Sequence, residues 1–250
     1  MRPGLGDFTG DGKADLLWRH GTGGDMWLWT MNGTALALSD YVATVDASYA
    51  VLGVDDFDGD GKADLLWRGA AGDTWLWRMN GPMIAGSEYV GAVDASYTVR
   101  AVGDLDGDGK ADLVWQGTAG DLWVWLMNGA THKGAGYVGT VADPVYQVQA
   151  VADFDGDRKA DILWRGTAAG DLWLWPMDGL TKRSDSYVAT VAPGYAIIGV
   201  GDYDGDVKSD LVWRGPAGDL WVWLMNGAVM KASGYVGNVS DTAYQLVKAG

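Results

Sequence analysis

The amino-acid sequence predicts an all-β fold, a five-bladed β-propeller built of four-stranded blades. A motif rich in Asp and Gly recurs five times along the 250 residues, at spacings of 48 or 49 residues. This period lies close to the roughly 40–50 residues of propeller blades. Within each unit, short alternating runs of apolar and polar residues are bounded by turn residues. Such a pattern predicts strands and no amphipathic helix.

The second unit shows the predicted order of elements within a blade. Residues 49–54 form an alternating run, and the acidic motif follows it. Residues 65–68 and 73–79 predict a second and a third strand. Asn80-Gly81 predicts a hairpin turn between strands, because both residues tolerate a positive φ angle. A looser run around residues 89–93 predicts the fourth strand.

The units tile the chain as a single domain, residues 1–250. The repeats are 7–55, 56–103, 104–152, 153–201 and 202–250. The first unit lacks an opening strand, and residues 244–250 match residues 97–103 at the tyrosine and at the alternating apolar positions. We therefore expect the C-terminal strand to complete blade 1 and to close the ring, which removes exposed sheet edges. The alternatives are an open array and closure by strand exchange between two chains; a monomer is favoured over a strand-exchanged dimer.

Acidic residues outnumber basic ones, with 33 Asp and Glu against 18 Lys and Arg, and the formal net charge is −15. This charge argues against nucleic acid as a partner and against an anionic membrane surface. No apolar run approaches the roughly 18 residues of a membrane span, so no membrane insertion is expected. The sequence contains no Cys, which excludes disulfides. The first residues do not resemble a signal peptide, and we expect a secreted, extracellular protein whose signal is absent from this sequence.

The recurring motif, Asp-x-Asp-Gly-Asp-Gly-x-x-Asp, predicts a cation-binding loop. Carboxylates at positions 1, 3, 5 and 9, with a backbone carbonyl at position 7, match the first nine positions of an EF-hand loop. Ligands that are all oxygen favour Ca²⁺ over Mg²⁺ or Zn²⁺. The alternative is a set of Asp-Gly turns without metal, but so many clustered carboxylates would repel one another strongly. The predicted ligands are Asp7, Thr9, Asp11, Asp15, Asp56, Asp58, Asp60, Asp64, Asp104, Asp106, Asp108, Asp112, Asp153, Asp155, Asp157, Asp161, Asp202, Asp204, Asp206 and Asp210.

The five copies of the motif differ. The copies at 56–64 and 104–112 are complete, whereas Thr9 replaces one carboxylate of the first copy. Arg158 and Val207 stand where the fourth and fifth copies should have Gly. A β-branched residue in a left-handed bend is strained. We therefore predict that the second and third loops bind a cation most tightly and that the fifth binds it most weakly.

The complete motif, Asp56-Phe-Asp-Gly-Asp-Gly-Lys-Ala-Asp64 followed by Leu-Leu-Trp, resembles the FG-GAP/VCBS repeat of integrin-like β-propellers. The resemblance extends over nearly the whole chain. It implies calcium in the loop between the two inner strands of a blade. Propellers of this family usually have six or seven blades. Some relatives are lectins with sugar pockets between or upon blades, and others are adhesion modules or appendages of secreted enzymes.

Each unit also carries three Trp residues with recurring polar neighbours. Packing between blades explains most of these rings, although an indole can also stack on the apolar face of a sugar. Arg and Asp beside a Trp can supply bidentate hydrogen bonds to hydroxyls. The alternative is that they serve turns and cover the rings. The candidate ligand-binding residues are Trp18, Arg19, Asp25, Trp67, Arg68, Asp73, Trp115, Gln116, Asp121, Trp164, Arg165, Asp171, Trp213, Arg214 and Asp219.

These features predict a calcium-stabilised propeller that binds carbohydrate at several equivalent sites. A protein-interaction or adhesion module is the main alternative, and an engineered or reconstructed repeat scaffold is another. We do not expect an enzyme, because a catalytic set is asymmetric and should break the repeat. The two histidines, His20 and His132, occupy different positions in their units.

Overall fold

The structure, a computed structural model, describes residues 4–241. These residues form five four-stranded antiparallel sheets, one per repeat, arranged as the blades of a β-propeller. The predicted all-β, five-bladed fold is therefore confirmed. Nowhere in the described part of the chain is there a helix that could span a membrane.

The strands follow the order that the repeats predict. Blade 1 contains β1 (Gly4–Gly6), β2 (Asp15–Arg19), β3 (Asp25–Asn32) and β4 (Ala35–Thr44). Blade 2 contains β5 (Tyr49–Asp55), β6 (Asp64–Gly69), β7 (Asp73–Asn80) and β8 (Met83–Ala92). Blade 3 contains β9 (Tyr97–Gly103), β10 (Asp112–Gly117), β11 (Asp121–Asn128) and β12 (Thr131–Thr140).

Blade 4 contains β13 (Tyr146–Ala152), β14 (Asp161–Gly166), β15 (Asp171–Trp175) and β18 (Ser186–Thr190). A two-stranded extension of this blade consists of β16 (Met177–Asp178) and β17 (Thr181–Lys182). The third strand is split here because Pro176, between β15 and β16, has no N–H for the ladder. Blade 5 contains β19 (Ala196–Gly201), β20 (Asp210–Arg214), β21 (Asp219–Asn226) and β22 (Val229–Asn238).

The register within a blade brings its aromatic residues together. In blade 2, Trp67 of β6 pairs with Trp75 of β7, and Trp75 pairs with Tyr89 of β8. The rings of Trp75 and Tyr89 meet edge to face at a centroid distance of 5.3 Å. Trp67 lies 5.1 Å from Trp77, two residues along β7 on the same face. The same two contacts recur around the propeller and give each blade an aromatic layer.

The core of the molecule lies between consecutive blades. Between blades 1 and 2, Phe8 and Leu28 pack with Leu65 and Trp67, all nearly or fully buried. Equivalent clusters lie at the next three interfaces. Backbone hydrogen bonds reinforce each contact: in the first, the Ala63 N–H donates to the carbonyl of Asp7 at 2.7 Å. Each blade thus docks on the preceding one through one repeated interface.

Blades 1 and 5 each have one face that packs against no other blade among the described residues. Trp18 of blade 1 is 43% exposed, whereas its counterpart Trp67 in blade 2 is 2% exposed. Tyr203 of blade 5 is 51% exposed, whereas its counterpart Phe8 is fully buried. Among residues 4–241, no core cluster joins blade 5 to blade 1.

The predicted closure of the ring by residues 244–250 lies outside the described residues. Blade 1 nevertheless has an opening strand of its own, contrary to the expectation from the sequence. Gly4–Gly6 pairs with Asp15–Leu17 of β2. This strand is short and contains two glycines, so it carries little of the β-branched and aromatic signal that identifies a strand in a sequence.

The fourth and fifth acidic motifs have the left-handed bend that the sequence predicts at Arg158 and Val207. Arg158 has a φ angle of 68° and Val207 a φ angle of 65°, and they are the only non-glycine residues with positive φ among those described. The corresponding positions in the other loops are glycines, such as Gly61 with φ of 80°.

A pair of tryptophan substitutions tests the difference between covered and open blade faces. We expect Trp67→Ala to lower the free energy of unfolding by about 3–5 kcal/mol, because it empties a buried site. Trp18→Ala should cost less than half as much, because this ring is already partly in water. Chemical denaturation of both variants measures the difference. An equal loss would show that Trp18 is covered in solution, by blade 5 or by another chain.

Candidate functional site: acidic loops and cavities between blades

The acidic loops join the first and second strands of each blade, and we number them 1 to 5 (residues 7–15, 56–64, 104–112, 153–161 and 202–210). In loop 2, the carboxylate of Asp56 accepts hydrogen bonds from the N–H groups of Gly59 at 2.7 Å and Gly61 at 2.8 Å. Both glycines have φ near 80°, a conformation that glycine adopts without strain. The first aspartate therefore holds its own loop closed, and the glycines permit the bend.

The last aspartate of each loop is buried and anchors the backbone. Asp64 is 1% exposed and accepts hydrogen bonds from the N–H groups of Phe57 at 3.1 Å and Met79 at 2.9 Å. Its counterparts Asp15, Asp112, Asp161 and Asp210 make the same two bonds. Each of these carboxylates ties its loop and second strand to the third strand.

Burial disfavours the charged form of four of these anchors, Asp15, Asp64, Asp112 and Asp161. It raises the pKa of Asp64, Asp112 and Asp161 to about 7, although the two backbone hydrogen bonds act in the opposite direction. The pKa of Asp15 is also raised, again chiefly by burial. A cation bound beside these groups would restore their charged form.

Four of the five loops bring three carboxylates close enough to hold one metal ion. In each set, the ligand oxygens lie within 4.8 Å of one another. The sets are Asp56, Asp58 and Asp64; Asp104, Asp106 and Asp108; Asp153, Asp155 and Asp161; and Asp202, Asp204 and Asp206. The remaining predicted carboxylates of these loops, Asp60, Asp112, Asp157 and Asp210, lie outside the sets. Loop 1, where Thr9 replaces an aspartate and donates a hydrogen bond to Asp7 at 3.3 Å, forms no such set.

The donor chemistry of these sets fits a hard divalent cation, because every ligand atom is a carboxylate oxygen. In several of these loops, basic side chains lie against the carboxylates. The Lys133 ammonium is 2.7 Å from an oxygen of Asp106, and the Lys231 ammonium is 2.9 Å from Asp204. These groups occupy positions that a positive ion would take.

A second kind of site lies between consecutive blades, where two cavities have equivalent walls. The cavity between blades 1 and 2 has a volume of about 300 Å³, and the one between blades 3 and 4 has about 290 Å³. The first is lined by Thr44, Val45, Asp46, Tyr49, Trp67, Trp75 and Trp77. The second is lined by Thr140, Val141, Ala142, Asp143, Tyr146, Trp164, Trp173, Trp175 and Asp185. In each, the three Trp residues of one blade face the segment that joins it to the preceding blade.

The deepest tryptophan of each wall has an unpaired donor. The Nε1–H groups of Trp67 and Trp164 are buried and have no hydrogen-bond partner among the described residues. The corresponding groups of Trp115 and Trp213 are in the same state. A buried N–H without an acceptor is costly. An unpaired indole donor is therefore a shared feature of blades 2 to 5.

The aspartate that opens the third strand positions a neighbouring tryptophan. One carboxylate oxygen of Asp73 accepts hydrogen bonds from the Tyr49 hydroxyl and from Nε1 of Trp75, both at 2.9 Å. The Trp75 N–H, followed by the Tyr49 hydroxyl, keeps the pKa of Asp73 below its ordinary value. The same arrangement recurs at Asp121, Asp171 and Asp219. In blade 1, Asp25 instead accepts a hydrogen bond from Thr44 at 2.5 Å.

The arginine that follows the deepest tryptophan serves the joint between blades. The Arg19 guanidinium donates hydrogen bonds to the carbonyls of Tyr49 at 2.7 Å, Val45 at 3.0 Å and Asp46 at 2.8 Å. It also lies 5.3 Å from the ring centroid of Trp67 in the next blade, at cation–π distance. Arg68, Arg165 and Arg214 bind the corresponding connecting carbonyls. In blade 3, Gln116 replaces the arginine and accepts a hydrogen bond from Arg100 at 2.9 Å.

The structure thus divides the residues predicted to bind a ligand. Trp67 and Trp164 line the two cavities, whereas their Arg and Asp neighbours do not. Sequence reasoning left out Tyr49, Thr44 and Asp46, which do line a cavity. The signal that could have identified this position is the Tyr that recurs at or just before the first strand of blades 2 to 5: Tyr49, Tyr97, Tyr146 and Tyr195.

Fold and loops together define a β-propeller whose blades carry acidic loops of FG-GAP type. The model of the FG-GAP-like repeat matches residues 7–67, 56–115, 104–164 and 153–213. The chain belongs to the FG-GAP-like repeat family, which confirms the resemblance found in the sequence. No curated protein matches the chain.

Two solved structures show the same fold. One is described as the structural basis of specific recognition of non-reducing terminal N-acetylglucosamine by a lectin of Agrocybe aegerita. It is 20% identical, with a TM-score of 0.71, over 98% of this chain and 68% of the lectin chain. The other, a chain of a mitotic checkpoint complex, is 12% identical, with a TM-score of 0.52, over 97% of this chain and 80% of the other. At these identities the likeness concerns the fold alone.

The buried loop anchors predict an unusual dependence of stability on pH. Because their folded-state pKa is raised to about 7, Asp64, Asp112 and Asp161 contribute stability that is complete below about pH 4 and is lost as pH rises through 7. Carboxylates whose pKa is lowered, such as Asp7 and Asp202, change their contribution to stability only at more acidic pH, where it is lost as pH falls through their folded-state pKa. In excess chelator, the unfolding temperature should therefore fall between pH 5 and pH 8. Thermal unfolding followed by circular dichroism measures it, and an unfolding temperature that rises over this interval would contradict the account.

Proposed function

We propose that this chain binds carbohydrate in the cavities between consecutive blades and that calcium in the acidic loops stabilises the blades. The observation that carries the first part is the repeated cavity wall. It combines three Trp rings, a buried indole N–H without a partner, and a rim with a Thr and an Asp.

The size and chemistry of the cavities favour a small neutral sugar. A volume of about 300 Å³ lies at the lower end of the range for small-molecule sites. The indole faces offer apolar planes for the C–H face of a sugar ring. Asp46, which accepts the Ser48 N–H at 2.8 Å, places a carboxylate at the rim of the first cavity. The net charge of −15 disfavours an anionic ligand.

The recurrence of the cavity at two blade interfaces also supports carbohydrate binding. Cavities at the first and third blade interfaces have walls of corresponding residues, so one chain can present more than one site for the same ligand. Weak identical sites gain strength when a branched or clustered glycan occupies several of them together. The lectin of similar fold, described as recognising N-acetylglucosamine, supports this choice of ligand class and makes that sugar the first probe.

Calcium is proposed for the acidic loops from the family and from the carboxylate sets. When bound, the ion would offset the clustered charge, and in loops 2 and 4 it would also link the loop to the buried anchor of the second strand, Asp64 or Asp161. Calcium sites of extracellular modules fill at the millimolar calcium concentrations of extracellular fluids. This agrees with the proposed secretion of the protein.

A glycan array with and without calcium, followed by calorimetric titration with N-acetylglucosamine and other neutral monosaccharides, tests the carbohydrate proposal. We expect at least two sites per chain. Trp75→Ala should remove the site between blades 1 and 2 and lower the stoichiometry by one. Trp27→Ala, at the equivalent position on the open face of blade 1, is the matched control and should leave it unchanged.

If Trp75→Ala does not fold, Thr44→Val removes a rim hydroxyl from the same cavity with little change in volume. The absence of binding at millimolar sugar, on the array and in the calorimeter, would overturn the carbohydrate proposal.

The open faces of blades 1 and 5 favour a second candidate, a protein-interaction module. Trp18 and Tyr203 are 43% and 51% exposed, and their counterparts within the propeller are buried. Exposed apolar faces of this kind are typical of protein contact surfaces. Binding of a protein partner that is lost with Trp18→Ala and kept with Trp75→Ala would support this candidate.

A further inference from the structure

Blades 3, 4 and 5 carry a basic residue at one fixed position of their repeat. In each of these blades, the last Met before the hairpin turn pairs with a residue on the other side of the turn, and the basic residue comes directly after that partner. The pairs are Met127 with His132, Met177 with Lys182, and Met225 with Met230. The basic residues themselves are Lys133, Arg183 and Lys231. In blades 1 and 2 the same position holds Ala37 and Ala85.

All three basic side chains reach the carboxylates of the acidic loop in their own blade. Lys133 bonds Asp106 at 2.7 Å and also contacts Asp108. Lys231 lies 2.9 Å from Asp204 and 2.5 Å from Asp206.

The guanidinium in blade 4 reaches still deeper. Arg183 lies 2.8 Å from Asp155, 3.0 Å from Asp157 and 3.7 Å from the buried anchor Asp161. In blades 3, 4 and 5, a tethered positive charge thus touches at least two of the three carboxylates that would ligate a metal ion.

Loop 2 is different because its neighbouring arginine is held elsewhere. Arg78 of β7 donates from Nε and from one terminal nitrogen to Glu88, at 3.1 Å and 2.6 Å. Its other terminal nitrogen lies 3.7 Å from Asp58. Glu88 is the only glutamate in the sequence, and it directs most of this guanidinium away from the loop. Lys62 pairs with Asp60, which is not one of the three clustered carboxylates of this loop.

We propose that Lys133, Arg183 and Lys231 are built-in counter-ions that take the place of calcium in loops 3, 4 and 5, so that loop 2 is the principal calcium site. A tethered cation already lies at the carboxylates and loses little freedom on pairing, whereas a free ion must displace it. This inference rests on the proposed calcium binding. It changes the order expected from the sequence, because loop 3, although complete in its aspartates, becomes a poor site.

The arrangement has a consequence for the whole propeller. Blades 3, 4 and 5 offset part of their loop charge with a tethered basic side chain, whereas the carboxylate set of loop 2 depends on calcium for it. Calcium would then stabilise the molecule through one interface region rather than uniformly around the ring. Whether a loop depends on calcium is thus decided by one side chain, which is basic in blades 3, 4 and 5 and Ala85 in blade 2.

Calorimetric titration of chelator-stripped protein with calcium chloride tests the proposal. The natural sequence should bind one calcium ion tightly. Lys133→Ala should add a second tight site and raise the affinity of loop 3 by about tenfold, because it removes a competing unit charge. The triple variant with Lys133→Ala, Arg183→Ala and Lys231→Ala should bind four ions.

Two further variants serve as the reverse test and the control. Ala85→Lys introduces the tether at an exposed position of blade 2 and should weaken the tight site about tenfold. Lys182→Ala is the control, because it also removes one positive charge, directly beside Arg183. Lys182 pairs with Asp185 and not with the loop, so this variant should change neither the number of bound calcium ions nor their affinity.

The outcomes separate this inference from the calcium proposal. Four sites of equal affinity in the natural sequence, or one site in both the natural sequence and the triple variant, would overturn the inference and leave calcium binding in place. No calcium binding by any variant would overturn both. Unfolding temperatures with and without calcium provide a second readout: calcium should stabilise Lys133→Ala more than the natural sequence.

Discussion

The buried carboxylate at the end of each acidic loop is the interaction on which the rest of the propeller depends. Asp64 receives the N–H of Phe57 from the loop and the N–H of Met79 from the third strand. The carbonyl of Phe57 in turn accepts the Gly129 N–H of blade 3 at 2.8 Å. One aspartate therefore fixes the loop within its blade and also the edge on which the next blade docks. Repetition of this element builds the succession of blades.

The blade interface in turn creates the proposed ligand site. Arg19 binds three carbonyls around the connection between blades and covers Trp67 of the next blade. The connection is thereby held above the aromatic wall, and the cavity lies between them. In the proposed function, the acidic loops and the cavities have separate tasks: the loops organise the blade, and the joints between blades offer the binding surface.

The fold could be predicted from the sequence because a repeat shows the same strand pattern five times. The candidate site could be predicted only in part. Motif spacing identified Asp64 as a carboxylate of the loop, but not that burial and two backbone donors would hold it. Spacing grouped Trp67 with Arg68, although Trp67 packs at the interface with blade 1 and Arg68 binds the connection to blade 3. The contact of Lys133 with Asp106 joins residues far apart in the chain, and no local pattern reports it.

The most direct test of this account compares Asp64→Ala with Asp60→Ala by chemical denaturation in excess chelator. Asp64→Ala leaves two buried N–H groups without an acceptor, so the free energy of unfolding should fall by about 2–5 kcal/mol. Asp60 is more exposed and pairs with Lys62, so Asp60→Ala should change it by less than about 0.5 kcal/mol. Similar small losses in both variants would contradict the claim that the buried carboxylate organises the blade.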